Sequence, residues 1–160
     1  MKIRGIVQAG LSWITILKKR DNFRAAFAGF DPHVIAAWGE DDVQRLLRDA
    51  GIIRHRGKIA ATISNARAWQ EIEAKGGFDQ FLWRYVDGMP LRTTLADRAA
   101  MPTQSPLSVQ ISKDLKKAGF KFCGPTIVYA FMEATGLINN HLTTCHRHDV
   151  CAALSRSPAF

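Results

Sequence analysis

Lys116-Lys-Ala-Gly-Phe-Lys-Phe-Cys-Gly-Pro125 is the stretch whose reading decides the fold. Gly119 ends one helix, a short apolar hairpin follows, and Gly124 stands before a proline that opens the next helix. Glycine just past a helix end and proline at a helix start are the expected placements of those residues. The pattern predicts a helix-hairpin-helix over about 109–135. Backbone N–H groups at the start of its second helix face outward, where the helix dipole favours an anion. Lys116, Lys117 and Lys121 add positive charge suited to a DNA phosphate. Read blandly, the same residues make a helical turn with solvated lysines.

The remaining periodicity is helical too. Ser105-Pro106 caps the helix before the hairpin, running through Leu115. Pro125 opens the helix after it, with Ile127, Val128, Phe131 and Ala134 inward and Gly136 as its stop. Upstream, Leu11, Ile14 and Leu17 mark a first helix from about Gln8. Asp21 caps a second, with Phe23, Ala26, Phe27 and Phe30 inward. Asp31-Pro32 pairs an N-cap with proline at the first helical position and starts a short helix through Val34, Ile35 and Trp38. Glu40-Asp41-Asp42 loads another first turn with negative charge, favourable against the dipole. Its helix carries Val43, Leu46, Leu47 and Ala50 inward and stops at Gly51. A longer helix is predicted over 57–74 with Ile59, Ile63 and Ala66 on one face. Phe78 to Val86 forms a further amphipathic stretch, and 90–105 is read as loop. No alternating strand pattern of useful length and no internal repeat appears. The expectation is an all-α fold in one helical domain over 1–160, with 137–160 as a C-terminal tail.

The composition sets the partner class. The formal net charge is +8, from 22 Lys and Arg against 14 Asp and Glu, and the pI is about 9.8. A basic balance of this size suits a polyanion. The sequence holds no apolar run long enough to span a bilayer. The N-terminus lacks a signal-peptide core, so a cytoplasmic location is expected. Three cysteines, Cys123, Cys145 and Cys151, argue against a disulfide framework. Cys123, beside Phe122, reads as a buried thiol.

Three further segments carry candidate chemistry. In Gln8-Ala-Gly-Leu-Ser-Trp13, continuing to Lys18-Lys-Arg20, an aromatic face stands beside a Gly-Leu pair and three positive charges. Trp13 suits stacking on an extruded, cationic base, although taken alone a tryptophan is more often a core residue. Lys18, Lys19, Arg20 and Arg24 suit phosphate, or a solvated face. In Ile52-Ile-Arg-His-Arg-Gly-Lys-Ile59, Arg54, Arg56 and Lys58 make a basic helix entry, and His55 reads first as structural. In the tail, His141 and Cys145 stand four apart and are good zinc donors. Two ligands alone do not complete a structural site.

These words, together with Phe30-Asp-Pro32, Asp49-Ala-Gly51, Asn65-Ala-Arg67 and Gly136-Leu-Ile-Asn-Asn-His141, are in an order that resembles the bacterial DNA-3-methyladenine glycosylase I family over almost the whole chain. The resemblance implies a helix-hairpin-helix glycosylase fold and hydrolysis of the N-glycosidic bond of 3-methyladenine in DNA without strand cleavage. It implies zinc as a structural cofactor, with His141 and Cys145 as two ligands. Trp13 would stack on the methylated base, and Gln8, Gly10 and Leu11 would fill the gap left by the flipped nucleotide. Gly119 and Gly124, with Lys116, Lys117 and Lys121, would meet the phosphate backbone. The implied partner is double-stranded DNA containing alkylated adenine, met by a monomer with no membrane role.

The departures carry expectations of their own. The family's Glu three residues before the Gln is Gly5 here, so no catalytic carboxylate is assigned. The family's upstream segment, with a Cys and a His for zinc and aromatic residues of the base pocket, is not matched. An incomplete zinc site and an impaired glycosylase are therefore expected. The alternative is a non-catalytic helix-hairpin-helix DNA-binding remnant or inactive fragment. His146, His148 and Cys151 are the substitutes at hand for zinc.

Overall fold

The computed structural model describes residues 13–154; Gln8, Gly10 and Leu11 lie outside that range, as does Gly5. The helices are α1 (Trp13–Lys18), α2 (Arg20–Ala26), α3 (Pro32–Ala36), α4 (Glu40–Arg48), α5 (Arg56–Glu73), α6 (Phe78–Trp83), α7 (Pro106–Lys117), α8 (Pro125–Thr135) and α9 (Arg147–Leu154). Short 3-10 turns lie at Ala28–Phe30, Arg84–Val86 and Arg98–Ala100. A two-residue parallel pair, β1 (Leu91–Arg92) against β2 (Ile138–Asn139), puts Leu91 opposite Ile138. The expected all-α architecture holds, with the two helices and hairpin where the glycines and prolines placed them.

The chain packs as two compact units. The first takes residues up to Gly77 plus Asp114–Cys123, the second Phe78–Lys113 plus the chain from Gly124. In the first, Phe23, Phe27, Ile35, Leu46, Ile59 and Ile63 form a buried cluster. Phe27 stacks on Phe30 at 5.8 Å between ring centroids and tilts against Trp38 at 5.9 Å. Asp31 caps α3 as its sequence implied, its Oδ1 accepting from the His33 N–H at 2.8 Å. The end of α3 is tied to α5, because Arg67 donates to the carbonyls of Ala36 and Trp38, both at 2.8 Å. In the second unit, Leu82, Ile111, Met132, Leu137 and Ile138 are buried. Ser105 and Ser108 cap α7 reciprocally: Ser108 N–H donates to Ser105 Oγ at 3.1 Å, and Ser105 N–H to Ser108 Oγ at 2.9 Å.

Several expectations are corrected. Ile14 and Leu17, which mark one face of the first helix by their spacing, are 57% and 43% exposed. Asp21 lies inside the first turn of α2, whose N-cap is Lys19. On α8 the buried face is Val128, Tyr129 and Met132, with Ala134 exposed. Ala50 is exposed beyond the end of α4. The tail contains a helix, α9, and the 90–105 segment contains β1.

Candidate functional site

The hairpin is built from backbone geometry first. Gly119 adopts φ +93° and donates its N–H to the Lys116 carbonyl at 3.0 Å, ending α7. Phe120 N–H returns to the Leu115 carbonyl at 2.9 Å, and the Phe120 ring is buried. Cys123 is buried as expected, and burial pushes its thiol pKa up. Lys116, Lys117, Lys121 and Phe122 are exposed. Lys117 pairs loosely with Asp114 at 3.6 Å.

Lys121 is held by a residue distant in sequence. Asn65, buried in α5, accepts the Lys121 N–H through Oδ1 at 2.8 Å and donates Nδ2–H to the Lys121 carbonyl at 3.0 Å. Phe122 follows at φ +54°. For a residue with a Cβ, that region costs about 1–2 kcal/mol. Its ring meets the edge of His55 at 6.3 Å. Beyond Gly124, Pro125 occupies the first turn of α8. The first-turn amides of Thr126 and Ile127 lack partners within that helix by its geometry, the arrangement that receives anions.

Several of the basic residues upstream are engaged within the protein. His55 caps α5, its Nδ1 accepting the Lys58 N–H at 3.2 Å, so the structural reading holds. Arg56 is engaged with Glu40 at 2.7 Å. The Glu40 carboxyl pKa is lowered by the Gln44 hydrogen bond first and Arg56 second. Lys58 has its pKa lowered by partial burial. Lys19 donates to the carbonyls of Ala50 and Gly51 at 3.1 and 3.0 Å, closing the turn after α4. It is thus withdrawn from the phosphate-facing set that the Lys18–Arg20 run suggested. Arg20 meets Asp21 at 3.6 Å. The backbone of Trp13 opens α1; its side chain lies outside the described set.

A cavity of about 470 Å³ opens beside the hairpin within the first unit, lined by Phe30, His33, Trp69, Phe120 and Asn65 among others. His33 meets Trp69 edge-on at 5.4 Å, and its Nδ1 lies 3.2 Å from Gln70 Nε2.

In the tail, His141 Nδ1 and Cys145 Sγ are 3.5 Å apart. Zn–N and Zn–S bonds at a tetrahedral angle would separate two donors by about 3.6 Å. The pair therefore fits two corners of a zinc sphere. Among the described residues, no group of three or more His, Cys, Asp or Glu is gathered for a metal. Both ring nitrogens of His148 have neighbours, Asp149 Oδ1 at 2.9 Å and the Thr93 carbonyl at 3.4 Å. Two buried asparagines set the segment before the pair. Asn139 accepts the His141 N–H at 3.2 Å and donates to the His148 carbonyl at 3.0 Å. Asn140 donates to Tyr129 Oη at 2.7 Å and Glu133 Oε1 at 2.8 Å, and accepts from Thr93 Oγ1 at 2.9 Å.

Sequence reasoning passed over Asn65, Asn139 and Asn140 as functional supports. The available signal for Asn65 was a polar residue beside Ala66 on the core face of the long helix.

The methyladenine glycosylase family profile matches residues 4–148. The chain is 54% identical over 139 residues to DNA-3-methyladenine glycosylase 1 of Escherichia coli, covering 86% of this chain and 74% of that protein. It is 44% identical over 139 residues to the Haemophilus influenzae DNA-3-methyladenine glycosylase, covering 86% and 75%. Its backbone matches a crystal structure of 3-methyladenine DNA glycosylase I with TM-score 0.85 and 56% identity, over 91% of this chain and 80% of the other.

Proposed function

The chain belongs to the methyladenine glycosylase family, and from that premise we propose that it removes 3-methyladenine from alkylated double-stranded DNA by hydrolysing the N-glycosidic bond, leaving the strand uncut. The observation that carries the reading is the agreement with 3-methyladenine glycosylases in sequence, 54% identical over 139 residues, and in backbone, with a TM-score of 0.85.

The chemistry asks little of a general acid. N3-alkylated adenine is a cationic leaving group, so the enzyme's work is to extrude the nucleotide, hold the base and stabilise an oxocarbenium-like sugar. Gln8, Gly10 and Leu11 fill the vacated stack, and Trp13 offers the aromatic face that a cationic base prefers. Gly119, Gly124, Lys116, Lys117 and Lys121 grip the phosphate backbone without reading sequence. His141 and Cys145 would supply two of the ligands of a zinc ion, which would contribute folding free energy once its remaining ligands were in place. The chain works as a monomer in the cytoplasm.

Position 5 is glycine. A carboxylate at that position would hydrogen-bond the base edge, and loss of one such preorganised group costs ~10²-fold or more in rate. Turnover is accordingly slow. The same glycine favours the second reading, a helix-hairpin-helix protein that binds DNA without excising bases. Chromatographic detection of free 3-methyladenine after incubation with methylated duplex separates the two. Released base supports the glycosylase, whereas salt-sensitive binding with no release supports the binding protein.

A further inference from the structure

We propose that Asn65 is a positioning residue for the DNA grip, holding the hairpin backbone at Lys121 in its phosphate-binding shape. The proposal rests on the reading that this hairpin meets DNA. Asn65 is 2% exposed and engages both backbone groups of one residue 56 positions away, accepting from the Lys121 N–H at 2.8 Å and donating to its carbonyl at 3.0 Å. A carboxamide supplies a donor and an acceptor side by side, as a neighbouring strand would. Water has little access to replace either bond. Aspartate keeps the acceptor and loses the donor; alanine loses both.

The clamp sits where the hairpin most needs it. Phe122 follows at φ +54° while 42% exposed. Such a conformation persists only where the surroundings over-determine it. Asn65 fixes the residue before it, and His55 meets its ring edge-on. His55 is itself fixed as the N-cap of α5. The anchors thus belong to α5 and to its N-cap, so the hairpin tip is preorganised by that helix within the first unit. With its N–H already accepted by Asn65, Lys121 is left to meet phosphate through its ammonium group.

The test compares the parent chain with Asn65→Asp and Asn65→Ala, titrating an undamaged duplex by fluorescence anisotropy across a KCl series. Loss of one ordered phosphate contact should weaken binding on the order of tenfold near 0.1 M salt and flatten the log–log salt slope by about 0.9. The single-turnover release rate at saturating methylated DNA should stay within about twofold of the parent, because the clamp acts on binding. In Asn65→Ala, which removes the acceptor of the Lys121 N–H, amide exchange should accelerate at Lys121 while the α5 interior stays protected. A folded variant with a fast Lys121 amide but parental affinity and slope would overturn the proposal while leaving the hairpin's DNA role intact. A parent with no salt-dependent binding would overturn that role and the proposal together. Should neither variant fold, the parent alone decides: a Lys121 amide exchanging as fast as that of Phe122 would mean that no clamp exists.

Discussion

Replacing Asn140 by aspartate changes one atom and should convert a buried knot into a pH-dependent defect. In the parent, Nδ2 donates to Tyr129 Oη and Glu133 Oε1, while Oδ1 accepts from Thr93 Oγ1. Aspartate keeps the Thr93 bond, and the Tyr129 hydroxyl can turn to donate to the new oxygen. The bond to Glu133 is lost, and a second carboxylate faces the first across what was a 2.8 Å contact. A hydrogen bond to a charged partner is worth about 1.5–3 kcal/mol. Repulsion of two charges about 4 Å apart near a surface adds up to ~4 kcal/mol, partly shed as the exposed Glu133 swings away. A net loss of about 2–4 kcal/mol at pH 7 is expected, lowering Tm by roughly 4–16 °C in a chain this size. The sign with pH follows from the proton. The introduced carboxyl is raised above about 3.9 in the folded state, so the native form binds more protons than the unfolded one between about 3.9 and that raised value. The deficit relative to the parent is flat above the window and shrinks as pH falls through it, because a protonated carboxyl can donate to Glu133 again. Asn140→Ala introduces no charge, so the repulsive part of the deficit, and the pH dependence that comes with it, should be absent. Thermal melts followed by circular dichroism from pH 4 to pH 8 measure all three chains. Equal Asn140→Asp deficits at both ends, or a loss under about 1 kcal/mol at pH 7, would refute the reasoning.

Changing Lys116, Lys117 and Lys121 together to Glu should weaken binding to any duplex sequence and cut the salt slope by about 2.7, at 0.9 per phosphate contact; unchanged anisotropy titrations would show that the hairpin does not meet DNA. Gly5→Glu should raise single-turnover release of 3-methyladenine at least tenfold, since ~10²-fold is the usual cost of losing such a group; an unaltered rate would show that position 5 does not face the base. Iodoacetamide at pH 8, followed by mass spectrometry, should label Cys145 and Cys151 before Cys123, whose buried thiol ionises at higher pH than usual. Added Zn²⁺ should then protect Cys145 but not Cys151, whereas equal protection of both would place the metal elsewhere.

The parts legible from sequence were those specified by local chemistry. Asp31-Pro32, Ser105-Pro106 and Gly124-Pro125 each announce a helix start in two residues, and each helix begins there. The apolar face of α5 was legible because its helix is long enough for a period to repeat. The misses are cases where a distant group decides. Nothing beside Lys19 in sequence reveals that its ammonium closes the turn at Ala50 and Gly51. The two-residue β1–β2 pair is too short to show alternation. Ile14 and Leu17 are spaced as one helix face would be, yet both are exposed. The likeness of His141 and Cys145 to a ligand pair was visible, but the asparagines that orient the segment became apparent only with their partners.

The first unit is assembled from two separate lengths of chain, since Asp114–Cys123 joins it after an excursion that begins at Phe78. That has a consequence for biosynthesis. At about 5–20 residues per second, the ribosome delivers Lys121 roughly 3–11 s after Asn65. For that interval α5 carries a polar amide on the face destined for the interior, with its eventual partner still untranslated. The nascent first unit must keep that seam hydrated and unsealed, and only the arrival of the hairpin lets it close. Chains stalled between Phe78 and Asp114 should therefore be the ones that proteases and chaperones find open.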